Sequence, residues 1–195
     1  AGLLNTFFGL AALSIAGPAI ATFSSTVIIA PIVEESLKWV ALLILFFSLR
    51  DEFDNVVDGI LYGSLVGIGF AMTENILYFG RTYVEGGLPM LSQVFLLRVV
   101  YGGIGHALYT GTAGAGLGYL REIGYKPLAS LVAFGAFALA ILQHSAWNLV
   151  AGTLVPALLP SDFDNALYLF LVAPVLSLIL VGPGFMLLFA IGYAA

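Results

Sequence analysis

Apolar residues run almost unbroken along this chain, interrupted by short polar or Gly/Pro connections. A bilayer crossing takes roughly 20 such residues, and stretches of about that length or more lie at 3–23, 26–49, 56–80, 91–119, 127–152 and 166–192. The connections hold charge or helix breakers: Arg50 to Asn55, Arg81 to Pro89, Arg121 to Lys126, and Thr153 to Asn165 with Pro156 and Pro160. The pattern predicts an all-α fold, a polytopic transmembrane helix bundle of about six spans, built as one domain over residues 1–195. Pro174 and Pro183 predict a last stretch that is kinked or broken in two. Gly59, Gly63 and Gly67, and again Gly114 and Gly118, recur at four-residue spacing, which lets helix backbones approach closely.

Composition agrees with the pattern. The chain is 61% hydrophobic and 9% charged, with a mean hydropathy of +1.08, whereas soluble domains carry about 25% charged residues. The absence of cysteine removes disulfides, a thiolate nucleophile and a thiolate metal site. The net charge of −5 includes no basic cluster, so neither nucleic acid nor an anionic lipid surface is an expected partner. Ala1 opens an already apolar run without a basic segment before it, so a trimmed start is expected rather than a secretory signal. Arg50, Arg121 and Lys126 lie on one side of the predicted bundle; Arg81 beside Glu85, Asp162 and Asp164 lie on the other. The excess of positive charge places the first set in the cytoplasm.

Against this apolar background four polar motifs stand out: Glu34-Glu35-x-x-Lys38, Phe70-x-x-x-Glu74-Asn75, His106-x-x-x-Thr110 and His144-x-x-x-Asn148. A charged group at bilayer depth costs roughly 2.5–3.5 kcal/mol on insertion scales, so ionisable side chains there need a reason. Glu34 lies about eight residues, roughly 12 Å at 1.5 Å per residue, from the non-cytoplasmic end of its stretch. Glu74 and His144 lie at a similar depth and His106 somewhat deeper, so four helices bring their motifs to one layer. The spacing of Glu34 and Lys38 allows an ion pair along the helix, leaving one glutamate poised as a general base; a structural buried pair is the alternative. Glu74 has no cation one turn away and must be protonated, metal-bound or paired across helices, with Asn75 a donor to a neighbouring helix. Each histidine has a polar residue one turn on, Thr110 or Asn148, able to orient the ring or to donate to an oxyanion. Asn55 and Asp58 read as helix caps, Arg98 as a snorkelling residue within reach of the site's rim, and Trp39 as packing.

Two carboxylate motifs, two histidines and an asparagine in a dry pocket suit amide hydrolysis, which needs a base for water, an oxyanion donor and an acid for the leaving amine. The His-Glu-x-x-His and Gly-x-Ser-x-Gly signatures and a pair of mid-membrane aspartates are absent from the sequence. The segments Glu34-Glu35-Ser-Leu-Lys38, Asp58 through Glu74-Asn75, His106-Ala-Leu-Tyr-Thr110-Gly and His144-Ser-Ala-Trp-Asn148 together resemble the PrsW family of intramembrane proteases, over about residues 24–152. That family is distantly similar to CAAX prenyl endopeptidases, bacteriocin-processing proteins and a noncatalytic gamma-secretase subunit. The resemblance implies that Glu34, Glu35, Lys38, Glu74, His106, His144 and Asn148 belong to the active site, with Phe70, Asn75 and Thr110 in support. It also implies proteolysis of single-span or otherwise membrane-anchored substrates, such as an anti-sigma factor, near the extracytoplasmic face of a prokaryotic cell membrane. The related CAAX enzymes differ in carrying Arg and His where this chain has Lys38 and Glu74.

Two mechanisms are compatible with these residues. In one, Glu74, His106 and His144 hold zinc as a His₂Glu site and Glu34 is the base. In the other no metal is needed: Glu34 activates water while His144 and Asn148 stabilise the oxyanion. The zinc version is preferred here because Glu74 otherwise lacks a counter-charge. A catalytically silent membrane scaffold and a proton or cation transporter are the alternative functions, the latter disfavoured by the absence of evident inverted repeats.

Overall fold

Gly17 and Pro18 divide the first apolar stretch. Proline cannot donate to the preceding turn and disfavours helical geometry in the residue before it, and Gly17 takes a φ of 79° that glycine alone adopts freely. The computed structural model describes residues 2–124, 126–159 and 165–194, and among these every regular element is helical. Pro160, Asp162 and Asp164, used above for the last loop and for orientation, lie outside the described residues. The elements are α1 (Gly2–Ala16), α2 (Pro18–Ser24), α3 (Ala30–Ser48), α4 (Val56–Phe95), α5 (Gly105–Ile123), α6 (Pro127–Leu149), α7 (Val155–Leu158), α8 (Asn165–Leu167), α9 (Ala173–Leu180) and α10 (Gly182–Ala194). Four π-helical segments join or extend them: Ser25–Ile29 links α2 to α3, Leu96–Tyr101 extends α4, Val150–Leu154 links α6 to α7, and Tyr168–Val172 links α8 to α9.

Three described helical stretches are long and apolar enough to cross a bilayer: Val56–Ile123, Pro127–Leu158 and Asn165–Tyr193. Several predicted boundaries move. The stretch at 3–23 is not one helix, and α1 alone has 15 residues, about 22 Å at 1.5 Å per residue against a hydrocarbon core of about 30 Å. The connection from Arg81 to Pro89 is mostly helix: Arg81 Nε donates to Glu85 Oε1 at 2.7 Å one turn on, and the chain breaks only at Gly87, with φ 63°. The stretch at 91–119 is interrupted after Tyr101, so α5 starts at Gly105 and Gly102 falls outside it. The last stretch is interrupted at Val181, between α9 and α10, as its prolines suggested.

The glycine repeats set the centre of the bundle. A Cβ at Gly59 would collide with the Gly114 carbonyl, at Gly63 with that of Thr110, and at Gly67 with that of His106. Contacts whose numbers rise on α4 as they fall on α5 define an antiparallel pair with backbones in direct contact. The opposite face of α4 presents Leu61, Leu65, Ile68, Met72 and Ile76, all exposed, as a stripe for lipid. Residues 107–118 of α5 are buried except for the partly buried Ala115, making it the axis around which α3, α4, α6 and α10 pack. Away from the motifs, Leu42, Phe46, Phe53, Leu117, Leu120, Ala129 and Ala133 form one core cluster. Trp39 stacks on Phe137 at 4.8 Å, and Asn55 caps α4 by accepting from the Asp58 amide at 3.0 Å.

Gly63→Ala should therefore be costly out of proportion to one methyl group. Backbone contacts at Gly63 give no flexible side chain that can yield, and overpacking of this kind costs about 1–3 kcal/mol. Thermal unfolding in detergent should show a lowered transition for Gly63→Ala. Gly69→Ala, with nothing within 4 Å of the new Cβ, should melt like the parent chain.

Candidate active site

Glu34, Glu35, Lys38 and His144 are 5%, 2%, 1% and 4% exposed, too deeply enclosed to be surface charges. Their partners differ from the spacing-based expectation. Lys38 pairs with Glu35 rather than Glu34: Nζ donates to Glu35 Oε1 at 2.6 Å. The same Oε1 lies 2.8 Å from His144 Nδ1, and Thr110 Oγ1 donates to the other oxygen at 3.3 Å. Lys38 Nζ also reaches His106 Nδ1 at 2.8 Å, and its ammonium sits 4.3 Å from the centre of the Phe70 ring. So Thr110 serves the carboxylate rather than the ring of His106, and the histidines are oriented by Glu35 and Lys38. Phe70 supplies the apolar wall against Lys38 and His106, its ring 5.9 Å from the imidazole.

The imidazoles meet edge to face with centroids 5.0 Å apart, and Tyr109 stacks on His144 at 5.1 Å. With Nδ1 donating to Glu35, His144 keeps the lone pair of Nε2, 3.9 Å from Glu34 Oε2. An ammonium can only donate, so Nδ1 of His106 accepts from Lys38 and the ring proton rests on Nε2, which faces Glu74 Oε2 at 3.5 Å.

Glu74 has the counter-charge that its own helix could not supply. Arg98, from the π-helical segment Leu96–Tyr101, donates through its terminal nitrogen to Glu74 Oε2 at 2.6 Å and through Nε to Asn75 Oδ1 at 2.8 Å. Its guanidinium stacks 3.8 Å from the centre of the Tyr78 ring. Arg98 thus does not snorkel, and Asn75 accepts a hydrogen bond instead of offering one. A cation and an anion, each without a partner in its own apolar stretch, was the sequence signal for this pair. Asn5 is the other residue that motif reading missed: it comes from α1 and donates to Glu34 Oε1 at 3.1 Å. Asn148 donates to the Thr26 carbonyl at 3.0 Å and so ties α6 to the π-helical segment that leads into α3.

Glu34, Glu74, His106, His144 and Asn148 line one cavity of about 870 Å³, with Arg98 at its wall. Glu35, Lys38 and Thr110 are not on that wall; they hold the histidines from behind. Ligand atoms of Glu34, His106 and His144 all lie within 4.8 Å of one another. A His₂Glu donor set is one that catalytic zinc sites use, and the Glu35 contact to His144 is the outer-shell support such ligands usually have. The residues therefore fit a divalent metal, provided the Nε2 proton of His106 leaves, as ligand protons do on metal binding. Glu74 stands beside this trio, nearest His106, and its carboxylate is committed to Arg98.

The sequence pattern of the PrsW family of intramembrane metalloproteases matches residues 1–179. Over 120 residues the chain is 32% identical to Protease PrsW of Oceanobacillus iheyensis, covering 61% of this chain and 50% of that protein. It is 41% identical over 93 residues to Protease PrsW of Geobacillus kaustophilus, covering 45% and 39% respectively. With Protease PrsW of Bacillus subtilis the identity is 44% over 74 residues, 35% of this chain and 33% of the relative. The chain thus spans half the length, or less, of these curated relatives. No solved structure matches it. The long apolar helices make it an integral membrane protein, and the relatives are bacterial. Because the family pattern runs from α1 into α9 and takes in all four polar motifs that converge on the cavity, this chain belongs to the PrsW family of intramembrane metalloproteases.

Proposed function

We propose that the chain is the catalytic part of an intramembrane endopeptidase that hydrolyses a peptide bond in membrane-anchored protein substrates, an anti-sigma factor being one such class. The observation that carries this reading is the pair of carboxylates, Glu34 and Glu74, on either side of two edge-to-face histidines, all on one cavity within an apolar bundle. Glu34, His106 and His144 would hold the metal, with Glu74 as the general base. This exchanges the two glutamates relative to the sequence-based assignment, because Glu34 is within mutual reach of both rings and Glu74 of only one. Bound there, the ion would supply Lewis acidity toward the scissile carbonyl and toward water.

The remaining work falls to the protein's own groups. Glu74, held through Oε2 by Arg98, accepts the proton of the attacking water at its other carboxylate oxygen and returns it to the departing amine. Asn148 uses the amide hydrogen not engaged by Thr26 to stabilise the oxyanion. Glu35, Lys38 and Thr110 are positioning residues that fix the two rings. The breaks at Gly87 and Tyr101 support one crossing more than the three long stretches alone, since α4 and α5 fold back on each other within Val56–Ile123. Arg121 donates to the Phe46 carbonyl near the end of α3, so Arg50, Arg121 and Lys126 gather at the end away from Glu34. Positive-inside counting then places the cavity toward the extracytoplasmic face.

Metal content and cleavage of a single-span substrate, measured on the same detergent-purified protein, test the proposal. About one zinc per chain is expected, with cleavage lost to a chelator and restored by zinc. Cleavage that persists without metal would select the glutamate-only mechanism. A folded, zinc-loaded protein that cleaves no membrane-anchored substrate would make the chain a scaffold.

A further inference from the structure

A second, smaller cavity of about 180 Å³ adjoins the large one. The two share Leu97, Arg98, Trp147 and Gly152, and beyond them the smaller cavity is lined by Tyr168 and Leu176, among others. Three of the four π-helical segments supply its walls, through Leu97 and Arg98, through Gly152, and through Tyr168. Single-turn π segments interrupt regular helix hydrogen bonding and are frequent at functional sites, so the convergence of three on one small space is informative. The charged residue on the lining, Arg98, is already engaged by Glu74, Asn75 and Tyr78. What faces the cavity otherwise is mainly aromatic and aliphatic. A cavity of about 150 Å³ lined by apolar side chains takes a benzene ring, so there is room here for one large side chain.

Gly152 stands where the two cavities meet. A Cβ at this position would meet nothing within 4 Å, and its φ is not positive. Neither packing nor backbone conformation requires glycine at this point, and its effect is to leave the passage between the cavities open.

We infer that the smaller cavity is a specificity subsite that receives one leucine- or phenylalanine-sized apolar side chain from the substrate segment lying in the catalytic cavity, with Gly152 keeping the passage clear. The inference rests on the protease reading above. It is tested on a series of single-span substrates in which each residue flanking the scissile bond is changed in turn to alanine, leucine, phenylalanine or tryptophan. At one flanking position the parent enzyme should prefer leucine or phenylalanine over alanine by about tenfold or more, the discrimination a hydrophobic pocket achieves. Gly152→Leu should reduce that preference by about the same factor, and Tyr168→Ala should extend it to tryptophan. If one variant fails to fold, as judged by its melting temperature, the other decides.

Cleavage without size preference at any flanking position overturns the subsite and leaves the protease reading standing. So does a preference that neither variant alters, or one that follows the acyl-chain length of the surrounding lipid instead. A metal-loaded parent protein that cleaves none of the series overturns the protease reading, and the subsite with it.

Discussion

Glu74→Gln is expected to slow peptide-bond cleavage by about 10²–10⁴-fold, the usual contribution of a positioned general base, while bound metal stays at the parent level. Glu34→Gln is expected to lose the metal, and cleavage along with it. The two carboxylates are similar in sequence context, each set in an apolar helix beside a polar neighbour, and only geometry separates them. Glu34 shares mutual reach with His106 and His144, as a ligand must. Glu74 approaches His106 alone, at 3.5 Å, and its Oε2 is pinned by Arg98 at 2.6 Å. A base has to be held at a fixed angle to the water it deprotonates, and the joint hold of Arg98 on Glu74 and Asn75 provides that. Metal content is the discriminating readout, because both substitutions abolish cleavage. Metal lost in Glu74→Gln and retained in Glu34→Gln would exchange the roles and restore Glu74 as the ligand.

How much of this was legible in the sequence depended on whether the determining contact was local. The all-helical, membrane-embedded character was legible because lipid imposes one requirement on every residue that faces it, and a long apolar run satisfies it without reference to the rest of the chain. The span boundaries were less so, since the breaks at Gly17 and after Tyr101 fall inside apolar runs. The close approach of α4 and α5 was legible for the same reason: glycines at 59, 63 and 67 announce a helix face with no side chains. Convergence of the motifs followed from depth counting, since antiparallel helices of known rise leave little freedom along the membrane normal. Partner choice was not legible. Glu34 and Lys38 have the right spacing for a pair, yet Lys38 chooses Glu35 because His106 and Phe70 draw its ammonium to that side. Arg98 could be assigned only by knowing that the break at Gly87 turns the chain so that the π-helical segment Leu96–Tyr101 lies back against Glu74. Interhelical contacts of this kind depend on rotation of each helix about its axis, which a single sequence constrains weakly.

Lys38→Met is expected to be among the most destabilising single substitutions in the chain, and its effect should exceed that of removing a positive charge from the surface by several-fold. Breaking a buried ion pair by deleting one partner costs about 3–5 kcal/mol, because the other charge is left uncompensated. Here the residue left behind is Glu35, 2% exposed, which among the described residues keeps His144 and Thr110 as partners. Loss of Lys38 also frees Nδ1 of His106, so the ring that faces Glu74 is no longer held in one orientation. Stability and activity can be separated by the double substitution Glu35→Leu, Lys38→Met, which replaces both charges by apolar groups of similar size. If the pair matters to folding mainly because neither member tolerates isolation, the double variant should be destabilised by less than the sum of the single ones. Thermal unfolding in detergent measures that difference. Cleavage should not recover with stability, because His106 and His144 would both have lost the contacts that aim them into the cavity. A double variant as active as the parent would mean that the rings are positioned by packing against Phe70 and Tyr109 alone. Glu35 and Lys38 would then be a structural pair with no part in arranging the site.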